Sequence, residues 1–168
     1  MSSFFKKYKL FITTLFVLSC IIITLFYNIL KPIKVLPIYQ PAQVNYELVD
    51  STIQHQKKYH HIADFSLINQ NGDTITQEFY KDKIYVADFF FTTCQTICPI
   101  MTDHMHDIQK QTISDPDLLL LSHSVTPEID TVAQLKRYAS QKLVNASKWN
   151  LVTGDKKQIY ELARKSYL

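Results

Sequence analysis

The sequence predicts an α/β domain, a mostly parallel sheet flanked by helices, preceded by one membrane-spanning helix. Three observations lead there. An uncharged apolar run, Leu10–Leu30, stands near the N-terminus. Beyond residue 60 the order reads as a hairpin followed by β-α-β-α-β-α, the alternation expected of a sheet with helical crossovers. One apolar run, Ile84–Phe91, leads directly to two cysteines, Cys94 and Cys98, with Pro99 next, where a helix can begin.

As a helix, Leu10–Leu30 would rise roughly 31 Å, matching a hydrocarbon core of about 30 Å. Lys6, Lys7 and Lys9 precede it, while only Lys31 and Lys34 follow closely, so residues 1–9 read as cytoplasmic and the rest as extracytoplasmic. Val17-Leu18-Ser19-Cys20 resembles a bacterial lipoprotein processing site, but mostly apolar residues continue after Cys20. An uncleaved single-pass anchor over 10–30 is therefore the favoured reading, with a lipoprotein or a cleaved signal as the alternatives. Each delivers the domain to the same side, the periplasm or its equivalent.

Residues 31–60 carry Pro32, Pro37 and Pro41 and few periodic apolar positions, which predicts an extended spacer. The domain proper is expected over 61–168. Ala63–Ile68 alternates like a strand, Asn71-Gly72 marks a tight turn, and Thr74–Phe79 returns. Ile84–Phe91 reads as a central strand covered on both faces. Asp88 interrupts it, either as a proton relay for the thiols or as a carboxylate satisfied by backbone donors. Pro99 to about Ile113 is a helix with Met101, Met105 and Ile108 on one stripe. Leu118–Leu121 is a second buried strand. Asp130 is placed to cap a helix bearing Val132, Leu135, Ala139 and Leu143. Asn150–Thr153 is a short strand, and Asp155 caps a last helix with Ile159, Leu162 and Ala163 inward. That helix is cut at Leu168 with no glycine or proline to end it, which reads as a fragment with an unfinished sheet edge.

Composition excludes some functions. With two glycines the chain has no glycine-rich phosphate cradle, and a net charge of +3 with dispersed lysines is no nucleic-acid footprint. The chemistry rests with Cys94 and Cys98. Their spacing around a helix start allows the roughly 4.4–6.8 Å Cα separation of a disulfide, or joint binding of one soft metal ion. Cys98, beside the first helical residue, is where the unpaired N–H groups favour a thiolate. A structural staple is the weaker reading, since so short a loop returns only about 2 kcal/mol.

The segment Phe90-Phe91-Thr92-Thr93-Cys94-Gln95-Thr96-Ile97-Cys98-Pro99-Ile100-Met101-Thr102 resembles the signature of the Sco/SenC family. Asn71-Gly72, Ser124-Val125-x-Pro127-Glu128-x-Asp130-Thr131 and Leu151-x-Thr153-Gly154 extend the resemblance over about 60–168. It implies a thioredoxin-like fold, incomplete at the C-terminus. It also implies copper, as Cu(I) or Cu(II), held by Cys94, Cys98 and one histidine, and delivered to the binuclear copper site of cytochrome c oxidase subunit II or another copper-site protein. The alternative is a thiol–disulfide oxidoreductase that uses the same two cysteines as a redox pair.

The sequence departs from the pattern twice. The family's ligand histidine lies on a hairpin beyond the helix that stops at Leu168, and Thr126 stands where the family often has aspartate. His123, at the end of the second buried strand, is a weak internal substitute. His104 and His106 are too far along the helix, and His60-His61 reads as an exposed pair.

Overall fold

The protein is a computed structural model that describes residues 7–31, 37, 39–45, 47–57 and 59–167. Pro32 and Lys34 of the expected spacer, residues 1–6 and Leu168 lie outside the described residues. The chain divides into two units, Met1–Ile38 and Tyr39–Leu168.

In the first unit, α1 (Lys9–Leu30) is a 22-residue helix with no buried residue. Three of its hydroxyls bond back onto the helix, those of Thr13, Thr14 and Thr24 donating to the carbonyls of Leu10, Phe11 and Cys20. By length and composition it is a candidate membrane span.

The second unit is built on five strands: β1 (Ser66–Asn69), β2 (Thr74–Thr76), β3 (Ile84–Phe90), β4 (Leu118–Ser124) and β5 (Trp149–Thr153). Their order is β2-β1-β5-β4-β3. The β3–β4 and β4–β5 pairs are parallel, whereas β1 lies antiparallel to both β2 and β5. Gly72, at φ +89°, makes the turn between β1 and β2, a conformation that favours glycine.

Among the described residues the centre of the parallel region is β4. Leu119 through Ser124 are all buried, while β3 runs along the edge with Ile84 65% exposed. An apolar run reads alike whether one face or two are covered, and among the described residues β3 is half-buried along most of its length and pairs with β4 alone.

Three helices cover the sheet: α2 (Ile97–Gln111), α3 (Val132–Gln141) and α4 (Lys156–Leu162). Side chains alternate along β4, which separates two cores. Leu119 and Leu121 join Phe65, Leu67, Val152, Ile159 and Leu162 on the α4 face. Leu120 joins Phe90, Cys98, Met105, Leu135 and Trp149 under α2 and α3. Asp155 caps α4 by accepting from Gln158 N at 2.8 Å, as the sequence predicts. Leu143, expected on α3, falls beyond its end and is 71% exposed.

The expected spacer is folded in its second half. Pro41–Gln43 forms a 3-10 turn, Ala42 N donates to Gln56 O at 3.0 Å, and Val49 is buried. Asp50 N donates to Arg164 O at 3.2 Å, and His60 Nε2 lies 2.8 Å from Ser166 O. These contacts join residues more than a hundred positions apart, which composition does not register.

Candidate functional site: a cysteine pair at a strand-to-helix turn

β3 delivers the chain to the C-terminal edge of the sheet, and a short turn over 91–96 carries it into α2. Cys94 N donates to Phe91 O at 3.2 Å, closing the turn. Thr96 stands at the N-cap position without making a side-chain cap bond. Cys98 is the second helical residue, so its N–H has no partner within the helix. That N–H donates to Cys94 Sγ at 3.4 Å. The sulfur of Cys94 therefore serves as the helix cap.

This geometry separates the two thiols. The Cys98 thiol and N–H, together with the Thr96 backbone, stabilise a thiolate at Cys94 and pull its pKa down to about 6. Thr96 Oγ1 adds a longer contact at 3.8 Å. Cys98 is buried, at 3% exposure, and burial pushes its pKa up, with its hydrogen bond to the Cys94 sulfur acting in the same direction. Cys94 remains partly exposed, and both thiols are free. The sequence expectation placed the thiolate at Cys98 because it sits at the helix start. The structure reverses that: the N–H belongs to Cys98, but the sulfur facing it belongs to Cys94.

Asp88 projects to the same sheet face as Cys98. Burial raises its carboxyl pKa, with the Ser122 hydroxyl opposing, and its Oδ1 is buried without a hydrogen-bond partner. Asp88 in turn contributes to the raised pKa of Cys98.

Two site residues were not singled out from the sequence as such. Asp130, expected to cap α3, is wholly buried, and Thr131 caps instead by accepting from Gln134 N. Asp130 accepts from the backbone N–H and hydroxyl of Thr92, two residues before Cys94. For the cap, the sequence offered an Asp-Thr pair in which either residue could serve.

The histidines lie elsewhere. His123 alternates onto the α4 face of β4, away from the Cys98 core, and is fully buried. Phe89 stacks on its ring at a centroid distance of 4.9 Å, with Tyr167 at 5.3 Å and Phe65 at 6.0 Å. Burial lowers its pKa to about 4, opposed by the Asp88 carbonyl, and neither ring nitrogen has a partner of hydrogen-bond geometry. His104 is exposed and His106 half-buried along α2, while Met105 is core and Met101 half-buried. Among the described residues no three His, Cys, Asp or Glu side chains gather as a metal cluster. Cys94 and Cys98 supply two soft donors, which suit cuprous ion.

The SCO1/SenC family model matches residues 53–168. The chain belongs to that family. Among its relatives, the SCO1 protein homolog of Bacillus subtilis (strain 168) is 39% identical over 108 residues, covering 63% of this chain and 56% of the relative. The structure of BsSco, described as a member of the Sco family of cytochrome c oxidase assembly proteins with a disulfide switch, matches at 38% identity and a TM-score of 0.59, covering 64% of each chain. Bradyrhizobium japonicum ScoI, solved with copper bound, matches at 26% identity and a TM-score of 0.54, covering 61% of this chain and 64% of that one. This Sco chain thus has the thioredoxin-like α/β fold of its relatives. It spans about half the length of the curated relatives it matches.

Proposed function

We propose that this Sco chain carries copper for the assembly of cytochrome c oxidase, with the ion as cargo and Cys94 and Cys98 as its sulfur donors. The observation that carries the reading is the Cys98 N–H bonded to Cys94 Sγ, which keeps one donor as an accessible thiolate near neutral pH. A thiolate binds cuprous ion without first losing a proton. His123 is not favoured as a third donor, because it lies sealed on the other sheet face. Transfer proceeds by ligand exchange to the binuclear copper site of subunit II or a similar acceptor. Ile97 and Ile100, each more than half exposed on the helix that bears Cys98, offer apolar surface for docking. Residues 10–30 anchor the chain in the cell membrane, with the domain on the periplasmic side.

A second reading has its own support. An exposed thiolate beside a buried, high-pKa thiol is also the arrangement of a nucleophile and a resolving partner in disulfide exchange. Titrating the reduced full chain with cuprous ion, followed by mass spectrometry under non-denaturing conditions, separates the two. Retention of one copper ion, lost in Cys94→Ser and in Cys98→Ser, is the expected result. Failure of the reduced wild-type chain to retain copper, together with rapid exchange with disulfide substrates, overturns copper carriage in favour of the oxidoreductase.

A further inference from the structure

Burying a carboxylate is costly unless hydrogen-bond donors saturate it, so a fully buried aspartate marks a place where the fold needs one. Asp130 has no exposed surface. Its oxygens accept from Thr92 N at 3.2 Å, Thr92 Oγ1 at 2.5 Å, Ser124 Oγ at 2.5 Å and Thr126 Oγ1 at 3.1 Å. The outer members of the network are held in turn. Gln134 Nε2 on α3 donates to Thr92 Oγ1 at 2.9 Å, and Thr126 N donates to Ser124 Oγ at 3.2 Å. Three segments therefore meet at one carboxylate: the start of the cysteine turn, the end of β4 and the start of α3.

Thr92 is held by both its N–H and its hydroxyl, and only Thr93 separates it from Cys94. A turn fixed at that end and joined to α2 at the other has little freedom left. We propose that Asp130 is the positioning residue of the cysteine site: by locking Thr92 to the ends of β4 and α3, it holds Cys94 Sγ over the Cys98 N–H. Without the lock, the turn samples positions as surface loops do, and the two sulfurs meet less often. The inference rests on Cys94 and Cys98 being the working pair. It does not depend on whether they carry copper or electrons.

The test is the equilibrium of the full-length chain with glutathione. The Cys94 and Cys98 thiols give up two electrons and two protons as their sulfurs join. Oxidised glutathione accepts both, its S–S bond breaking to give two molecules of reduced glutathione. Asp130→Asn keeps the shape but puts an NH2 among donors, and Thr92→Ala removes the hydroxyl. Each is expected to weaken the Cys94–Cys98 disulfide equilibrium constant by about tenfold, the scale of a lost charge-assisted hydrogen bond. Leu67→Ala, on the opposite sheet face, serves as the control. It lowers the melting temperature but leaves that constant within about twofold, because distant sites act independently.

Wild-type constants in both folded variants would overturn the inference. Should Asp130→Asn not fold, Thr92→Ala decides alone. A wild-type chain that forms no Cys94–Cys98 disulfide at any glutathione ratio would instead overturn the reading of the pair itself, a result distinct from wild-type-like variants.

Discussion

Neighbouring buried residues of β4, turned to opposite faces of the sheet, treat their polar groups in opposite ways. Under α2 and α3, Ser122 accepts from Trp149 Nε1 at 2.9 Å, Ser124 donates to Asp130, and Thr102 Oγ1 lies 2.8 Å from Tyr138 Oη. Under α4, His123 sits among aromatic rings with neither nitrogen bonded. Both faces bury their side chains equally well. The difference shows that burial alone does not satisfy a polar group: His123 on the α4 face and Asp88 Oδ1 on the cysteine face are both buried without a partner, whereas Ser122 and Ser124 have theirs.

Adjacent leucines on β4 offer the largest test of that contrast. Leu120 and Leu121 are both fully buried, one on each face. Leu120→Ala and Leu121→Ala should each cost about 3 kcal/mol in urea unfolding, the usual range for a leucine cavity. Only Leu120→Ala, which opens the cluster containing Cys98, is expected to speed Cys98 alkylation. Equal acceleration by both would mean that the faces are not independent.

The unbonded imidazole of His123 makes a prediction of the opposite sign. His123→Phe removes two unbonded nitrogens from an apolar site and should stabilise the protein by about 1–2 kcal/mol at pH 7. Because burial depresses the His123 pKa from 6.5 to about 4, the unfolded chain binds more protons between those values. Wild-type stability therefore falls as pH drops through that window, and the advantage of His123→Phe widens. Chemical denaturation at pH 7 and pH 5 measures both effects, and a destabilised variant would show that the imidazole has a partner after all.

The smallest effect concerns the caps. Thr131→Ala on α3 and Asp155→Ala on α4 should each cost about 1 kcal/mol. The Asp155 bond is the shorter, 2.8 Å against 3.4 Å for Thr131, so its loss should be the greater of the two in the same unfolding assay.

Local features were legible in the sequence. The apolar helix, the Asn71-Gly72 turn, the Asp155 cap and the strand-turn-helix around Cys94 and Cys98 follow from hydrophobic period, turn chemistry and spacing, and the structure has them. What depends on distant partners was not. β3 is less covered among the described residues than its apolar run suggests, because such a run does not say how many neighbours its strand has. Thr131 takes the cap expected of Asp130 because either can cap a helix, and bonds from Thr92, far back in the chain, and from Ser124 and Thr126 draw the carboxylate inward. The chain around Asp50 meets the end of the domain at Arg164, which no local pattern announces. The thiolate is at Cys94 and not Cys98 for a similar reason, since spacing brings a sulfur to an N–H without saying which sulfur it is.

That last assignment is also the claim most directly open to measurement. Iodoacetamide alkylation of the reduced full chain, followed by pH and resolved by peptide mass spectrometry, reports each thiol separately. A depressed pKa means that Cys94 is thiolate above about pH 6 and turns to the unreactive thiol as pH falls below it. The expected profile for Cys94 therefore rises with a midpoint near 6, while Cys98, held protonated by burial, lags well behind. Two cysteines that alkylate together, with a shared midpoint near the ordinary thiol value of about 8.5, would contradict the account.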